Sequence, residues 1–370
     1  MKKVLSIALV LVMVLAIFAG CGAKKSDAKT IYVTGPTPDH GWTAQAGAYA
    51  EKKVNEINAA GTYKAVYMPA SSGEEQVDLV QTIIANGDAA GVVFFALEDS
   101  AKAGQEALIA EKIPFISFDR IIEGPDKYAI LNASGDNWQC GAGIAYWLQQ
   151  KGMVPGDTMI TLIGDNGTVC SRRQEGFEQF LKGEIEYYDE HTKQSYTTAK
   201  VWTQEEIDAL CADYKVVCNW SADGAYDYLE QTLADIVAAA KANNNQLFIF
   251  SQDDEMTFGV LRLLEGNALD AATKADLEAM EVYISAIGGM QELYDVMSGT
   301  AAQAPVAQQY FDDMMSVYFS PKMMTNVIGY MLDYLAGNWD YEVGAGKDEV
   351  VWIVDKNTVS EYEGFTGHAE

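Results

Sequence analysis

Asp119 and Arg120 stand side by side at the end of the run Ile113-Pro-Phe-Ile-Ser-Phe118. One side chain only accepts hydrogen bonds, and the other only donates them, in a planar fork. Together they suit a ligand crowded with hydroxyls, since each hydroxyl both donates and accepts. Polar residues close other apolar runs in the same way. Asp39, His40 and Trp42 follow Ile31–Gly35, and Glu98 and Asp99 follow Gly91–Ala96. Asp165 and Asn166 follow Thr158–Ile163, with Arg173 one helical turn into the next element. Trp220 ends Lys215–Asn219, and Gln252, Asp253 and Asp254 end Leu247–Phe250. Carboxylates and guanidinium groups take hydroxyls, and flat indoles cover the C–H side of a ring, so the set has the composition of a sugar site. Each member also has a plainer use. Asp39 could cap a helix, His40 could be an exposed loop residue, Trp42 core, and Asp119–Arg120 a local salt bridge. Asp254 is expected to cap the helix that runs to Glu265, and Arg172 to be a helix-surface charge.

The elements that must position these residues alternate. Short, wholly apolar runs read as strands buried on both faces, which belong to parallel sheets covered by helices. Ile31–Gly35, Tyr63–Pro69, Gly91–Ala96, Ile113–Phe118 and a shorter Tyr128–Leu131 are the expected strands of a first set. Thr43–Asn58 between them is a helix with Ala46, Ala50, Val54 and Ile57 on one face, and Glu74–Asn86 is another with Val77, Val80, Ile83 and Ile84 inward. Ser100–Glu111 is the third helix. A second set begins with a helix capped by Asp136 and running through Gln150, then strand Thr158–Ile163 and helix Ser171–Lys182. Lys215–Asn219, Leu247–Phe250 and Val282–Ile287 are further strands, with helices Gly224–Asn243 and Glu255–Glu265 between them. Two successive sets of strand–helix units predict an α/β chain with two doubly wound parallel-sheet lobes. Ligands of such sheets bind beyond the carboxyl ends of the strands, where the polar residues collect. Glu190–Ala212 is polar and long for a connection, and reads as an insertion with a short helix at Gln204–Cys211.

Met1-Lys2-Lys3, the apolar stretch Val4–Phe18 and the small residues before Cys21 form an export signal. The Cys21 thiol after Ala-Gly resembles the lipobox of bacterial lipoproteins, so 1–20 would be removed, Cys21 lipidated, and 21–30 left as a tether. Loss of Lys2 and Lys3 would take the formal charge from −28 to −30. A body this acidic is repelled by nucleic acid and by anionic lipid, so contact with membrane is expected through the N-terminal lipid alone. Cys211 and Cys218 could bridge outside the cell, or all four remaining cysteines could be buried thiols.

Four blocks carry a wider resemblance: Gly35-Pro-Thr-Pro-Asp-His-Gly-Trp42, Ile113–Arg120, Ser171-Arg-Arg-Gln-Glu-Gly-Phe177 and Phe250-Ser-Gln-Asp-Asp-Glu-Met256. In this order and spacing the chain resembles the periplasmic sugar-binding proteins of the ribose/galactose type, the receptors of bacterial ABC importers. The resemblance implies two lobes joined by three crossing strands, near Ser134, Phe319 and Val350, with the ligand in the cleft between them. It divides the chain into 31–133 plus 320–349 and 134–319 plus 350–370. It names Asp39, His40, Trp42, Asp119, Arg120, Arg173, Trp220 and Asp253 as ligand residues. It implies a monosaccharide ligand, a membrane permease as partner, a monomer, and no cofactor or metal. Asp253 replaces the family's sugar-contacting Asn, Gly288-Gly289 stands where an Asp often precedes Gly, and Phe319 where a hinge Gln or Asn is common. These departures leave the sugar open, as they leave open a nucleoside or quorum signal as ligand and a chemoreceptor as second partner. Enzyme readings find little support: there is no Gly-x-Ser-x-Gly elbow, no His-Glu-x-x-His pattern, and Gly344-Ala-Gly-Lys347 lacks the P-loop spacing.

Overall fold

The structure, a computed structural model, describes residues 29–37 and 41–367. Cys21, Asp39 and His40 lie outside the described residues.

The first sheet holds β1 (Thr30–Pro36), β2 (Lys64–Ala70), β3 (Ala89–Phe95), β4 (Phe115–Phe118), β5 (Leu131–Gly135) and β13 (Gly346–Glu349). Its order is β13-β5-β4-β3-β1-β2, parallel throughout. All four residues of β4 are buried, as a strand covered by helices on both faces requires. Helix α1 (Gly41–Ala60) buries Ala46, Ala50, Val54 and Ile57 on one face of the sheet. Helix α2 (Gly73–Asn86) turns Val80 and Ile83 inward, together with Gln76, while Val77 and Ile84 are only half-buried. Gln76 is inside because both ends of its amide are bonded, to the Phe95 carbonyl and the Leu97 N–H. Helix α3 (Lys102–Ala110) completes the layer. The strand expected at Tyr128–Leu131 begins at Leu131 instead: Pro125 opens a single 3-10 turn over Pro125–Tyr128, and the Asp126 carboxylate holds that turn through the Gly124 N–H.

The second sheet holds β6 (Thr158–Ile163), β9 (Lys215–Val217), β10 (Gln246–Ser251), β11 (Glu281–Gly288), β12 (Asp313–Tyr318) and β14 (Trp352–Asp355). Its order is β14-β12-β11-β10-β6-β9, parallel except for the β14 edge. Helices α4 (Asn137–Gln150), α5 (Thr168–Leu181), α7 (Ala222–Ala242) and α8 (Asp254–Glu265) are those the periodicity indicates, α5 starting three residues earlier. Asp136 caps α4 by accepting from the Gln139 N–H. The insertion carries a hairpin, β7 (Tyr187–Asp189) with β8 (Gln194–Tyr196), and then α6 (Gln204–Ala212), which starts at a full capping box of Thr203 and Glu206. Tyr146, Tyr187 and Tyr196 stack to fasten the hairpin to α4. The chain also forms α9 (Ala271–Glu278), α10 (Gln291–Ser298) and α11 (Ala304–Tyr310), none of them marked by sequence pattern. Cys140, Cys170, Cys211 and Cys218 are all free thiols, so no Cys211–Cys218 bridge forms; burial pushes both of those thiols up to about 12.

The backbone passes between the sheets three times: after β5, after β12 on the way to α12 (Met323–Ala336), and between β13 and β14. The first two passages touch. A Cβ on Gly135 would sit 2.1 Å from the Phe319 ring, so glycine is what lets them run side by side.

Candidate functional site

Both sheets point strand carboxyl ends into one cavity of about 150 Å³. Trp42, Phe95, Asp119 and Arg120 reach it from the first sheet, Arg173, Trp220, Asp253 and Ile287 from the second, and Phe319 from the second crossing. The cavity therefore gathers six of the eight residues singled out from sequence. The other two, Asp39 and His40, fall outside the described residues.

Asp119 ends β4 with φ at +62°. Left-handed backbone is uncommon outside glycine, and Asp and Asn tolerate it best. This turn aims the carboxylate off the sheet edge. No described residue hydrogen-bonds to it. Burial pushes its carboxyl up from the usual carboxylate range, while Arg173 on the opposite sheet and neighbouring Arg120 pull it down. Among the described residues it is thus an acceptor in the cavity left open.

Arg120 is otherwise engaged. Its Nη2 lies 2.6 Å from Asp165 Oδ2, at the end of β6 in the other sheet. Asp165 in turn accepts from the Gly167 N–H at 2.7 Å and from the Trp220 indole N–H at 3.1 Å. Arg120 holds its carboxyl below the ordinary value although burial raises it. A Cβ on Gly167 would come within 1.8 Å of Arg120 Nη1, so the guanidinium lies flat on a glycine. Arg120 and Asp165 form a cross-cleft clamp, and Asp165, noted in the sequence only as a polar strand end, is a site residue.

Arg173 is 4% exposed. Its Nε donates to Asn137 Oδ1 at 2.9 Å, and Nη1 donates to the Gln252 carbonyl. Nη2 has no acceptor among the described residues. The guanidinium also lies over the Trp220 and Phe319 rings, 5.6 and 5.1 Å from their centres. Arg173 is therefore partly a structural residue as well as a cavity residue. Its neighbour Arg172 stacks on Trp138, 4.7 Å from that ring, outside the cavity.

The two indoles differ. Trp42 is 8% exposed, packed among Phe95, Phe118 and Phe319, and its N–H donates to the Phe319 carbonyl at 2.7 Å. Only part of its ring can meet a ligand. Trp220 is half-buried, with φ at +55°, and its preceding residue Asn219 is also left-handed. Two consecutive residues in this region cost about 1–3 kcal/mol each, and such backbone collects at functional sites. The indole rests on Gly164, where a Cβ would lie 2.1 Å from the ring.

The cap expected of Asp254 is made by Asp253 instead. The Asp253 carboxylate caps α8 by accepting from the Glu255 N–H at 2.8 Å, while also lining the cavity. Asp254 is fully buried behind it, accepting from the Gly289 and Met290 N–H groups and the Ser316 hydroxyl, each at 2.7 Å. Burial is the main cause that pushes its carboxyl up to about 7. Among the described residues no cluster of His, Cys, Asp and Glu could hold a metal ion.

The sequence matches the periplasmic binding protein domain over residues 31–338. This chain belongs to that family. No curated protein sequence matches it. Solved structures with the same fold include the periplasmic binding component of the arabinose ABC transporter of Shewanella sp. ANA-3, bound to arabinofuranose. It is 16% identical, with 90% of this chain and 94% of that one covered and a TM-score of 0.63. The Chloroflexus aurantiacus carbohydrate transporter solute-binding protein, in complex with D-glucose, is 15% identical over 90% and 95% of the two chains, with a TM-score of 0.64. An ABC transporter solute-binding protein of Bacillus halodurans with bound myo-inositol is 14% identical over 91% and 98%, at 0.62. At these identities the likeness is one of fold.

Proposed function

We propose that this protein is the extracytoplasmic solute-binding lipoprotein of an ABC importer, taking a monosaccharide between its lobes and handing it to a membrane permease. The observation that carries this reading is the Asp119 carboxylate, to which no described residue hydrogen-bonds, facing Arg173 across a cavity walled by strand ends of both sheets. A carboxylate accepts from two hydroxyls, a guanidinium donates to a third, and the half-buried Trp220 ring offers a face to ring C–H groups. The same-fold proteins named above carry an arabinofuranose, a glucose and an inositol, all small polyhydroxylated rings. The lobes are 31–133 plus 320–349 and 134–319 plus 350–370, working as a monomer. Each supplies half of the site, so ligand favours the closed form and the permease reads closure. The Arg120–Asp165 clamp adds to closure from the protein's own side.

Titrating the mature protein with monosaccharides, nucleosides and amino acids, followed by tryptophan fluorescence, tests the reading. A sugar should bind and alter Trp220 emission. Binding confined to nucleosides or amino acids would replace the sugar with another ligand in the same cleft. Cys21 is the proposed anchor, holding the protein at the cell membrane. Cys21→Ser should move it from the membrane fraction to the soluble one, and unchanged fractionation would remove the lipid from the proposal.

A further inference from the structure

The hydrogen bonds behind Arg173 lead to the hinge. Asn137 opens α4 one residue past its cap, and it is 1% exposed. Both ends of its amide are bonded: Nδ2 donates to the Gly135 carbonyl of the first crossing at 3.2 Å, and Oδ1 accepts from Arg173 Nε at 2.9 Å. An amide turned the other way would set donor against donor at the guanidinium and acceptor against acceptor at the carbonyl. The main chain of Arg173 is fixed to α4 as well. A Cβ on Gly141 would come within 1.9 Å of the Arg173 carbonyl, and one on Gly176 within 2.1 Å of the Trp138 carbonyl. These two glycines let α4 and α5 touch backbone to backbone. The Phe319 ring of the second crossing lies against Gly135 and also beneath the Arg173 guanidinium. The cavity arginine, the Asn137 amide and two of the crossings are therefore one packed unit.

An arginine side chain has much rotamer freedom to lose, and a ligand that must order it binds less tightly than one that finds it in place. We infer that Asn137 is a positioning residue for the ligand site: from the first crossing it holds the Arg173 guanidinium in the orientation that meets the ligand, and so ties the aim of that arginine to the hinge. This rests on the cleft reading above and deepens it. A neutral amide suits the task, because it orients the guanidinium without cancelling its charge, as a carboxylate there would.

Calorimetric titration of wild type, Asn137→Ala, Arg173→Met and the double variant tests this, with whichever of arabinose, glucose and myo-inositol binds wild type best. Asn137→Ala should weaken binding about 10-fold, within the coupling found between residues that share a hydrogen bond. The double variant should bind no more weakly than Arg173→Met alone, since Asn137 then has nothing to position. A purely structural role would lower the melting temperature and leave affinity as it was. Affinity of Asn137→Ala equal to wild type overturns the inference, and so does a loss that adds in full to that of Arg173→Met. Should Asn137→Ala fail to fold, Asn137→Ser takes its place in the same cycle. If only a nucleoside or an amino acid binds, the sugar reading falls, and the same four proteins titrated with that ligand decide on Asn137. If nothing binds in the cleft, the cleft reading falls and this inference with it.

Discussion

At the outer end of the cleft, Arg120 bonds across the two sheets to Asp165, which also accepts from the Trp220 indole N–H on its own sheet. At the hinge end, Phe319, Trp42 and Phe95 meet as rings, joined by one indole–carbonyl bond. The outer groups would be hydrated whenever the lobes part, so their pairing favours closure without costing much on opening. The hinge rings are buried, and they shape the space. If the proposed function holds, the charged end would bias the closing motion while the aromatic end shapes the space. Asp119 also lines the cleft, with no donor to its carboxylate among the described residues.

Arg173 links the two ends, and removing it should have the largest effect. Arg173→Met leaves Asn137 Oδ1 and the Gln252 carbonyl without their donor. Each buried group left unpaired costs about 1–3 kcal/mol. The expected loss in ligand-free stability is about 2–6 kcal/mol, read by urea unfolding, together with weaker binding. Stability within 1 kcal/mol of wild type would mean that Arg173 belongs to the ligand alone.

Asp165→Asn should act on motion more than on folding. It weakens the clamp to Arg120 by about 1–3 kcal/mol, the worth of a hydrogen bond between charged groups. Small-angle scattering should show a more open ligand-free protein, and ligand affinity should fall in proportion to the loss of the closed population. A ligand-free scattering curve identical to wild type would reduce the clamp to a passive contact.

A pH-dependent effect concerns Asp254, behind the cavity wall. Its folded value, about 7, lies above the usual carboxylate value, so burial favours the protonated form. The stability it contributes is present in acid and is lost as pH rises through the window from about 4 to about 7. Asp254→Asn mimics the protonated form. The melting temperature of wild type relative to this variant should therefore fall as pH rises through that window. A difference that does not vary with pH would show that the three hydrogen bonds to Asp254 offset its burial.

The order of strands and helices is legible in the sequence because β4 and its neighbours are short apolar runs and because α1 repeats small and branched residues every third or fourth position. The site is legible as a set of strand ends. Three features are not, each for a physical reason. The partner of Arg120 stands 45 positions away on another sheet, and nothing local distinguishes it from a solvated Asp. Two identical carboxylates stand at 253 and 254, and the cap expected of Asp254 falls to Asp253 because the backbone aims that one along α8. Helices α10 and α11, of eight and seven residues, are too short to display a helical period. Trp42 reads first as a stacking face, with core as its plainer use, and the fold makes it largely core.

Calorimetric titration of wild type and Asp119→Asn, with the sugar that binds best, bears most directly on the cleft as the binding site. Asn keeps the left-handed backbone that Ala would strain, and removes the charge and one acceptor. Affinity should fall about 10–100-fold, corresponding to the ~1.5–3 kcal/mol of a charged hydrogen bond. The ligand-free melting temperature should stay the same or rise, because the carboxylate is buried without a hydrogen-bond donor among the described residues. Undiminished affinity in Asp119→Asn would contradict the assignment and move the ligand away from this cleft.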